Sequence, residues 1–302
     1  MNQATQPQAI DLLAAYWTIA GDVYPCSPSE VSPYPLEARA AAAAKVGWKG
    51  LGLVLDDLKA TIARVGVNGV RNILADNGMK YFELEILADW YKDGELRASS
   101  DQFKRDVLEL GGALGMCNLK VCASFADPGP ADFPRRAAEF AKLCEEIDAI
   151  GATVSLEFMP FSIVRNIEDG LAIVQTADQH NGGLTVDSWH VVRSGDGFDK
   201  VAAIPARFIK SVELDDADEK VVGTLFEDTR FNRQLCGEGF YDIPGFIGAV
   251  QQAGYTGKYY GVEMISESYR RLPLDVMAKR AFDTTMAQFA ALEARKAKQA
   301  AQ

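Results

Sequence analysis

Histidine is scarce: His180 and His190 are the only two in 302 residues. A site built mainly of imidazoles is therefore not expected. Cationic side chains are in deficit as well. Thirty-one Lys and Arg stand against 42 Asp and Glu, giving a net charge of −11 and a pI of about 4.8. Phosphate backbones are bound by clustered Lys and Arg, so no nucleic-acid partner is expected. No apolar run reaches the ~18 residues of a transmembrane helix, and no membrane association is expected. The five cysteines (Cys26, Cys117, Cys122, Cys144, Cys236) form no CxxC or other metal spacing. They read as free thiols in a reducing cytosol. The opening MNQATQPQAIDLL has no basic segment followed by an apolar stretch, so no signal peptide is expected. A cytoplasmic location follows from these expectations.

What is present fits a globular enzyme: 48% hydrophobic and 24% charged residues. The length suits two average domains or one large α/β barrel, which takes about 250 residues. Short apolar or alternating runs recur at 12–19, 50–55, 80–87, 118–125, 153–158, 183–187, 208–214 and 258–264. Helical periodicity fills the intervals at 36–47, 100–115, 132–151, 166–178, 241–254 and 274–296. Only 56–79 reads poorly, because Gly66 and Gly69 interrupt it. Eight strands alternating with helices predict parallel pairing and a closed (β/α)8 TIM barrel. No linker divides the chain, so 1–302 is expected to be one domain, with 1–10 and about 291–302 peripheral.

Chemistry in such barrels sits at the C-terminal strand ends. The last four strands each carry an acid there: Glu157 in VSLEF, Asp187 in LTVDS, Glu213 in KSVEL and Glu263 in YGVEM. Two residues earlier stands a small side chain: Ser155, Thr185, Ser211 or Gly261. Period-two alternation puts each small residue and its acid on one face, toward the barrel axis. Four convergent carboxylates repel one another unless a cation neutralises them. An all-oxygen set favours a hard divalent ion, Mn²⁺ or Mg²⁺ before Ca²⁺ or Zn²⁺.

His190 follows Asp187 by three residues and is expected on the rim of that site, whereas His180 precedes its strand and is expected at the opposite, structural face. Arg193 is left between substrate contact and an ion pair with a rim acid. In the long insertion before Glu263, TRFNRQLCGEGFYDIP places Arg233 and Glu238 around a glycine turn. That cluster either completes the site or is a plain Arg–Glu turn. Glu85 at the end of the third strand, Trp17 at the end of the first, Lys120 and Trp189 are candidates for substrate contact or for packing.

The ordered set LEFMPFS, VDSWHVVRSG, VELDDAD, RQLCGEGFYDI and GYTGKYYGVEMIS resembles the sugar phosphate isomerase/epimerase superfamily of xylose isomerase-like TIM barrels. The similarity spans roughly 12–290 and implies one divalent metal held by Glu157, Asp187, the Glu213 position and Glu263. The chain departs from the pattern at Glu213, where relatives have His or Gln. Ketose 3-epimerases also carry an acid and an arginine where this chain has Ile163 and Glu219, so that subgroup is matched poorly. The apurinic endonucleases of the same barrel use a histidine-rich zinc cluster and bind DNA, which two histidines and a charge of −11 exclude.

The resemblance implies a small sugar-like substrate, a hydroxy-ketone deprotonated to an enediolate by Glu157 or Glu263 and reprotonated by the other. His190 would steady the developing oxyanion or shuttle a proton. Isomerase or epimerase is the leading expectation. A lyase acting on a cyclic keto-acid or 3-keto-glycoside is the alternative, because the same enolate can expel a β-leaving group. A homo-oligomer is compatible with either.

Overall fold

Eight short parallel strands close into a barrel in the computed structural model, which describes residues 10–125 and 132–301. They are β1 (Leu12–Ala14), β2 (Gly50–Val54), β3 (Tyr81–Leu87) and β4 (Asn118–Cys122), then β5 (Thr153–Glu157), β6 (Gly182–Asp187), β7 (Ile209–Leu214) and β8 (Tyr260–Val262). Each pairs with its sequence neighbour, and β1 also pairs with β8, which closes the ring. The expected single-domain TIM barrel is what the chain forms. No helix of the described residues is long and apolar enough to cross a membrane.

Two boundaries differ from expectation. The run LLAAYWTI is a strand only through Ala14, and Tyr16–Ile19 is a short helix. An apolar run of this length carries no period that separates strand from helix. Of residues 56–79, those through Asp76 are helical, in Leu55–Asp76, and Gly66 bends that helix at φ 72°. The helices Phe133–Asp148, Ile167–Ala177 and Ile243–Gln252 begin where Asp132, Asn166 and Asp242 cap them, each side chain accepting a backbone N–H. The last helix, Leu274–Ala300, extends beyond the 274–296 of its helical periodicity. It docks on the barrel's flank, with Phe282 against Trp48 (centroids 5.4 Å) and Trp48 Nε1 donating to Ala278 O. Of the termini expected to be peripheral, residues 1–9 and 302 lie outside the described residues.

Strand alternation sorts the barrel into two environments. Leu119, Val121, Val154, Leu156, Leu184, Val186, Val212 and Leu214 belong to the apolar core shared with the helices. Fully burying such a side chain stabilises the fold by about 1.5–3 kcal/mol. The alternate positions face inward and are polar. Asn118 Nδ2 donates to Glu83 Oε1 (3.0 Å) and Ser155 Oγ (2.9 Å), and Thr185 Oγ1 donates to Ser155 Oγ (2.8 Å). The barrel's floor is thus a hydrogen-bonded polar layer, and the acids stand above it.

Candidate metal centre and active site

β5 ends on Glu157, β6 on Asp187, Glu213 is the penultimate residue of β7, and Glu263 follows β8. Glu157 lies level with Thr185, Asp187 with Glu213, and Glu213 with Gly261. The acids therefore climb by two residues at β6 and again at β8, following the strand tilt of a closed barrel. The small residue below each acid leaves room for a neighbour. A Cβ on Gly261 would lie 3.1 Å from Glu213 Cγ, and one on Gly52 would collide with Glu85 Oε1.

One carboxylate oxygen from each of Glu157, Asp187, Glu213 and Glu263 lies within 4.8 Å of all the others. Metal–oxygen bonds of about 2.0–2.6 Å place opposing ligands some 4–5 Å apart, so the spacing fits one divalent ion. A second observation agrees: Glu213 Oε2 is buried without any hydrogen-bond partner. A buried, unpaired carboxylate oxygen is costly and calls for a cation. Glu157, Asp187 and His190 form an overlapping three-residue group.

The surrounding charge is unbalanced. Glu83, Glu85, Glu157, Asp187, Glu213, Asp215 and Glu263 are all buried here, against the cations Lys120 and Arg233. Arg233 Nη1 bonds Asp187 Oδ2 (2.8 Å) and Asp215, and its Nη2 lies 3.2 Å from Glu263 Oε2. Lys120 Nζ bonds Glu213 and lies 3.3 Å from Glu85 and 3.9 Å from Glu263. Burial alone would discharge both cations, yet their ring of acids keeps them protonated, well above their ordinary values. Burial pushes the Glu213 carboxyl far up, helped by Glu263 and opposed by Lys120. Glu263 is pushed up by burial too, against Arg233 and Lys120. For Asp187 burial is outweighed by Arg233 and by the His190 N–H, and its carboxyl sits below the usual range.

His190 is tied to two of the acids. Its backbone N–H donates to Asp187 Oδ1 (2.9 Å), capping the helix Ser188–Arg193, and its Nε2 lies 3.0 Å from Glu157 Oε1. A carboxylate can only accept, so Nε2 carries the proton between them.

The structure places the remaining candidates as follows. Arg193 is an ion pair: it bonds Asp228 Oδ2 (2.9 Å) and the carbonyls of Asp218 and Glu219, which pins the insertion after β7. Glu238 pairs with Arg280 on the surface and not with Arg233, because the turn points it outward. Arg233 turns inward instead and joins the acids. Trp189 is fully buried and packs behind the site, under the guanidinium of Arg233 (5.4 Å). Lys120 is likewise sealed inside the barrel, a counter-charge that does not line the cavity. Trp17 sits on the helix after β1 rather than at that strand's end, yet it does line the cavity, as does Glu85. Glu85 accepts the Tyr16 N–H (2.7 Å). His180 faces Asp148 (3.1 Å) on the exposed opposite side, as expected.

The cavity above the acids holds about 240 Å³ and is lined by Glu85, Glu157, His190, Arg233 and Glu263 among others. Asp187 and Glu213 do not line it; they lie beneath. Sequence reasoning missed Asp215, Arg230 and three cavity phenylalanines, Phe125, Phe161 and Phe226. Asp215 directly follows the β7 strand end and was legible as an acid there; Arg230 and the phenylalanines sit on loops and a helix that carry no strand period.

This geometry belongs with a matching family model: residues 40–288 fit the xylose isomerase-like TIM barrel, and the chain belongs to that family. Over 251 residues it is 28% identical to a 3-dehydroshikimate dehydratase of Pseudomonas aeruginosa, covering 82% of this chain and 38% of that protein. Over 147 residues it is 24% identical to an inosose isomerase of Bacillus subtilis, covering 48% of this chain and 51% of the relative. The chain thus spans well under two thirds of either. A crystal structure of IolI with a bound zinc atom superposes at a TM-score of 0.82 with 18% identity, covering 94% of this chain and 99% of that one.

Proposed function

We propose that the chain is a divalent-metal-dependent isomerase or epimerase acting on a small sugar- or polyol-derived hydroxy-ketone through an enediolate. The observation that carries this reading is the division of the four acids. Asp187 and Glu213 offer oxygens to the four-acid cluster without lining the cavity and would serve as ligands only, whereas Glu157 and Glu263 each offer an oxygen to the cluster and also line the cavity. A bound Mn²⁺ or Mg²⁺ would polarise the ketone carbonyl and acidify the neighbouring C–H. The all-carboxylate set favours these hard ions, although the related IolI structure holds zinc.

Glu157 takes the proton from the carbon beside the carbonyl, and the bond's electrons move onto the carbonyl oxygen. His190 Nε2–H, 3.0 Å away, donates to one oxygen of that carboxylate and keeps it oriented. Glu263, beside Arg233, would have to enter the cycle as the carboxylic acid to return a proton to the neighbouring carbon in isomerisation or to the opposite face in epimerisation, the two acids then exchanging their proton with solvent to restore the starting state. The five free cysteines suit a reducing compartment, and we place the reaction in the cytoplasm.

A lyase reading is favoured by one comparison and one residue. The dehydratase match covers 82% of the chain. With Arg193 and Arg233 engaged elsewhere, Arg230 lines the cavity with its Nε buried and unpartnered, which suits a substrate carboxylate. Solvent-deuterium exchange decides between the two. Wash-in beside the carbonyl without loss of a substituent supports isomerase or epimerase, and appearance of a conjugated enone supports the lyase. Full activity in a metal-free Glu157→Gln protein would sink both.

A further inference from the structure

The outer half of the cavity has a chemistry that the enolisation of a bare sugar does not use. Phe125 follows β4, Phe161 follows β5, and Phe226 lies on the helix Leu225–Phe231 after β7. Their rings meet in a triangle, with centroids 5.5 Å (125–161), 5.6 Å (125–226) and 5.4 Å (161–226) apart. Phe161 continues the stack inward to His190 (6.1 Å), so the aromatic wall runs from the mouth to the acids. The Arg230 guanidinium lies on the same wall, 4.7 Å from the Phe226 ring. Phe125 remains 39% exposed.

A polyhydroxylated ligand would be poorly served there. A hydroxyl turned toward the three phenyl faces surrenders its water partners and meets no donor or acceptor on those faces, the Arg230 guanidinium beside Phe226 being the polar group of this wall. A flat apolar group, in contrast, buries its own surface and that of Phe125, and it takes up the offset or edge-to-face geometry that aromatic pairs favour. The guanidinium plane of Arg230 extends the same stacking surface.

We infer that the substrate of this site is a hydroxy-ketone bearing a planar apolar substituent, seated on the wall of Phe125, Phe161 and Phe226 while its ketone end reaches the acids. The inference rests on the enolisation reading for the ketone end alone. The wall acts on affinity, not on the proton transfers.

The test uses the full chain with Mn²⁺ and three probes: 2-hydroxycyclohexanone, its 4-carboxy derivative and its 4-phenoxy derivative. Calorimetry reads each Kd, and NMR in D₂O reads exchange beside the carbonyl. The phenoxy ketone is expected to bind at least roughly tenfold more tightly than either of the others. In Phe125→Ala and in Phe226→Ala the ratio of affinities should fall toward one. Phe125, being partly exposed, can be truncated without opening the core, and circular dichroism checks the fold of both variants. Equal affinities for the three probes, or a ratio unchanged in both variants, overturns the inference. The two readings fail separately. Preferential phenoxy binding with no exchange in any ketone would sink the enolisation chemistry and leave the wall. Exchange in all three at equal affinity would do the reverse.

Discussion

His190 Nε2 stands 3.0 Å from Glu157 Oε1 while the same residue's backbone N–H holds Asp187 Oδ1 at 2.9 Å. One residue therefore joins an acid on the cavity wall to an acid beneath it. The link makes separable predictions for the two functions of a carboxylate, ligation and proton transfer. Glu157→Gln keeps an amide oxygen in place but removes the base. Exchange of the substrate proton should fall by at least about 100-fold, the lower end of what a positioned general base contributes. His190→Ala should slow exchange less and retain the metal, since the carboxylate ligands remain. Stopped-flow NMR exchange and metal titration of the same samples check both. Loss of metal in His190→Ala would move that residue into the ligand set.

Arg233 is the second target. It is buried against Asp187, Asp215 and Glu263, so Arg233→Met leaves three acids without their counter-charge. Removing one partner of a buried ion pair costs about 3–5 kcal/mol. The metal-free variant should melt well below the wild type, and added Mn²⁺ should raise its Tm by more than it raises that of the wild type. A variant that melts like the wild type without metal would show that Arg233 is not the counter-charge of this cluster.

How much of this was legible in the sequence follows from the range over which each signal acts. The four acids were found because strand alternation has a period of two and repeats within a few residues. Eight strands came from the same local pattern. What failed was non-local or ambiguous. LLAAYWTI has no period to separate strand from helix, and a single φ of 72° at Gly66 hid a 22-residue helix. Arg193, Arg230 and Arg233 are chemically alike, and all three follow the strands that carry the acids. Which one pins a loop, faces the cavity or enters the acid cluster depends on how the insertion after β7 folds back. That folding is fixed by Asp216, which accepts the N–H groups of Gly237, Gly239 and Tyr241 from over twenty residues away. No spacing rule reports such a contact.

Lys120 gives a third prediction. Its ammonium bonds Glu213 and lies within 4.0 Å of Glu83, Glu85 and Glu263, with no solvent access. Lys120→Met should destabilise the fold by about 3–5 kcal/mol, because Glu213 is then buried without a partner. Adding Glu213→Gln removes the carboxyl that Lys120 neutralises and should recover part of that loss. The double-mutant cycle in urea measures the coupling. Additive effects of the two substitutions would mean that the pair is not an energetic unit.

The last prediction concerns pH. Burial, together with neighbouring acids, raises the Glu213 and Glu263 carboxyls well above the carboxylate range in the metal-free protein. A carboxyl whose pKa is higher folded than unfolded binds more protons in the folded state. Stability of the metal-free protein should therefore be greatest below the unfolded carboxylate pKa, so far as these two groups decide it, and decline as pH rises above it. Metal binding has the opposite sign, since ligation requires the deprotonated form and releases the protons. Apparent Mn²⁺ affinity should accordingly climb from pH 5.5 to pH 7.5, and the Tm gap between metal-loaded and metal-free protein should widen over the same interval. Calorimetry in two buffers of different ionisation enthalpy counts the protons released per ion bound. Zero release at pH 5.5, with affinity independent of pH, would show that both carboxylates are already ionised before the metal arrives.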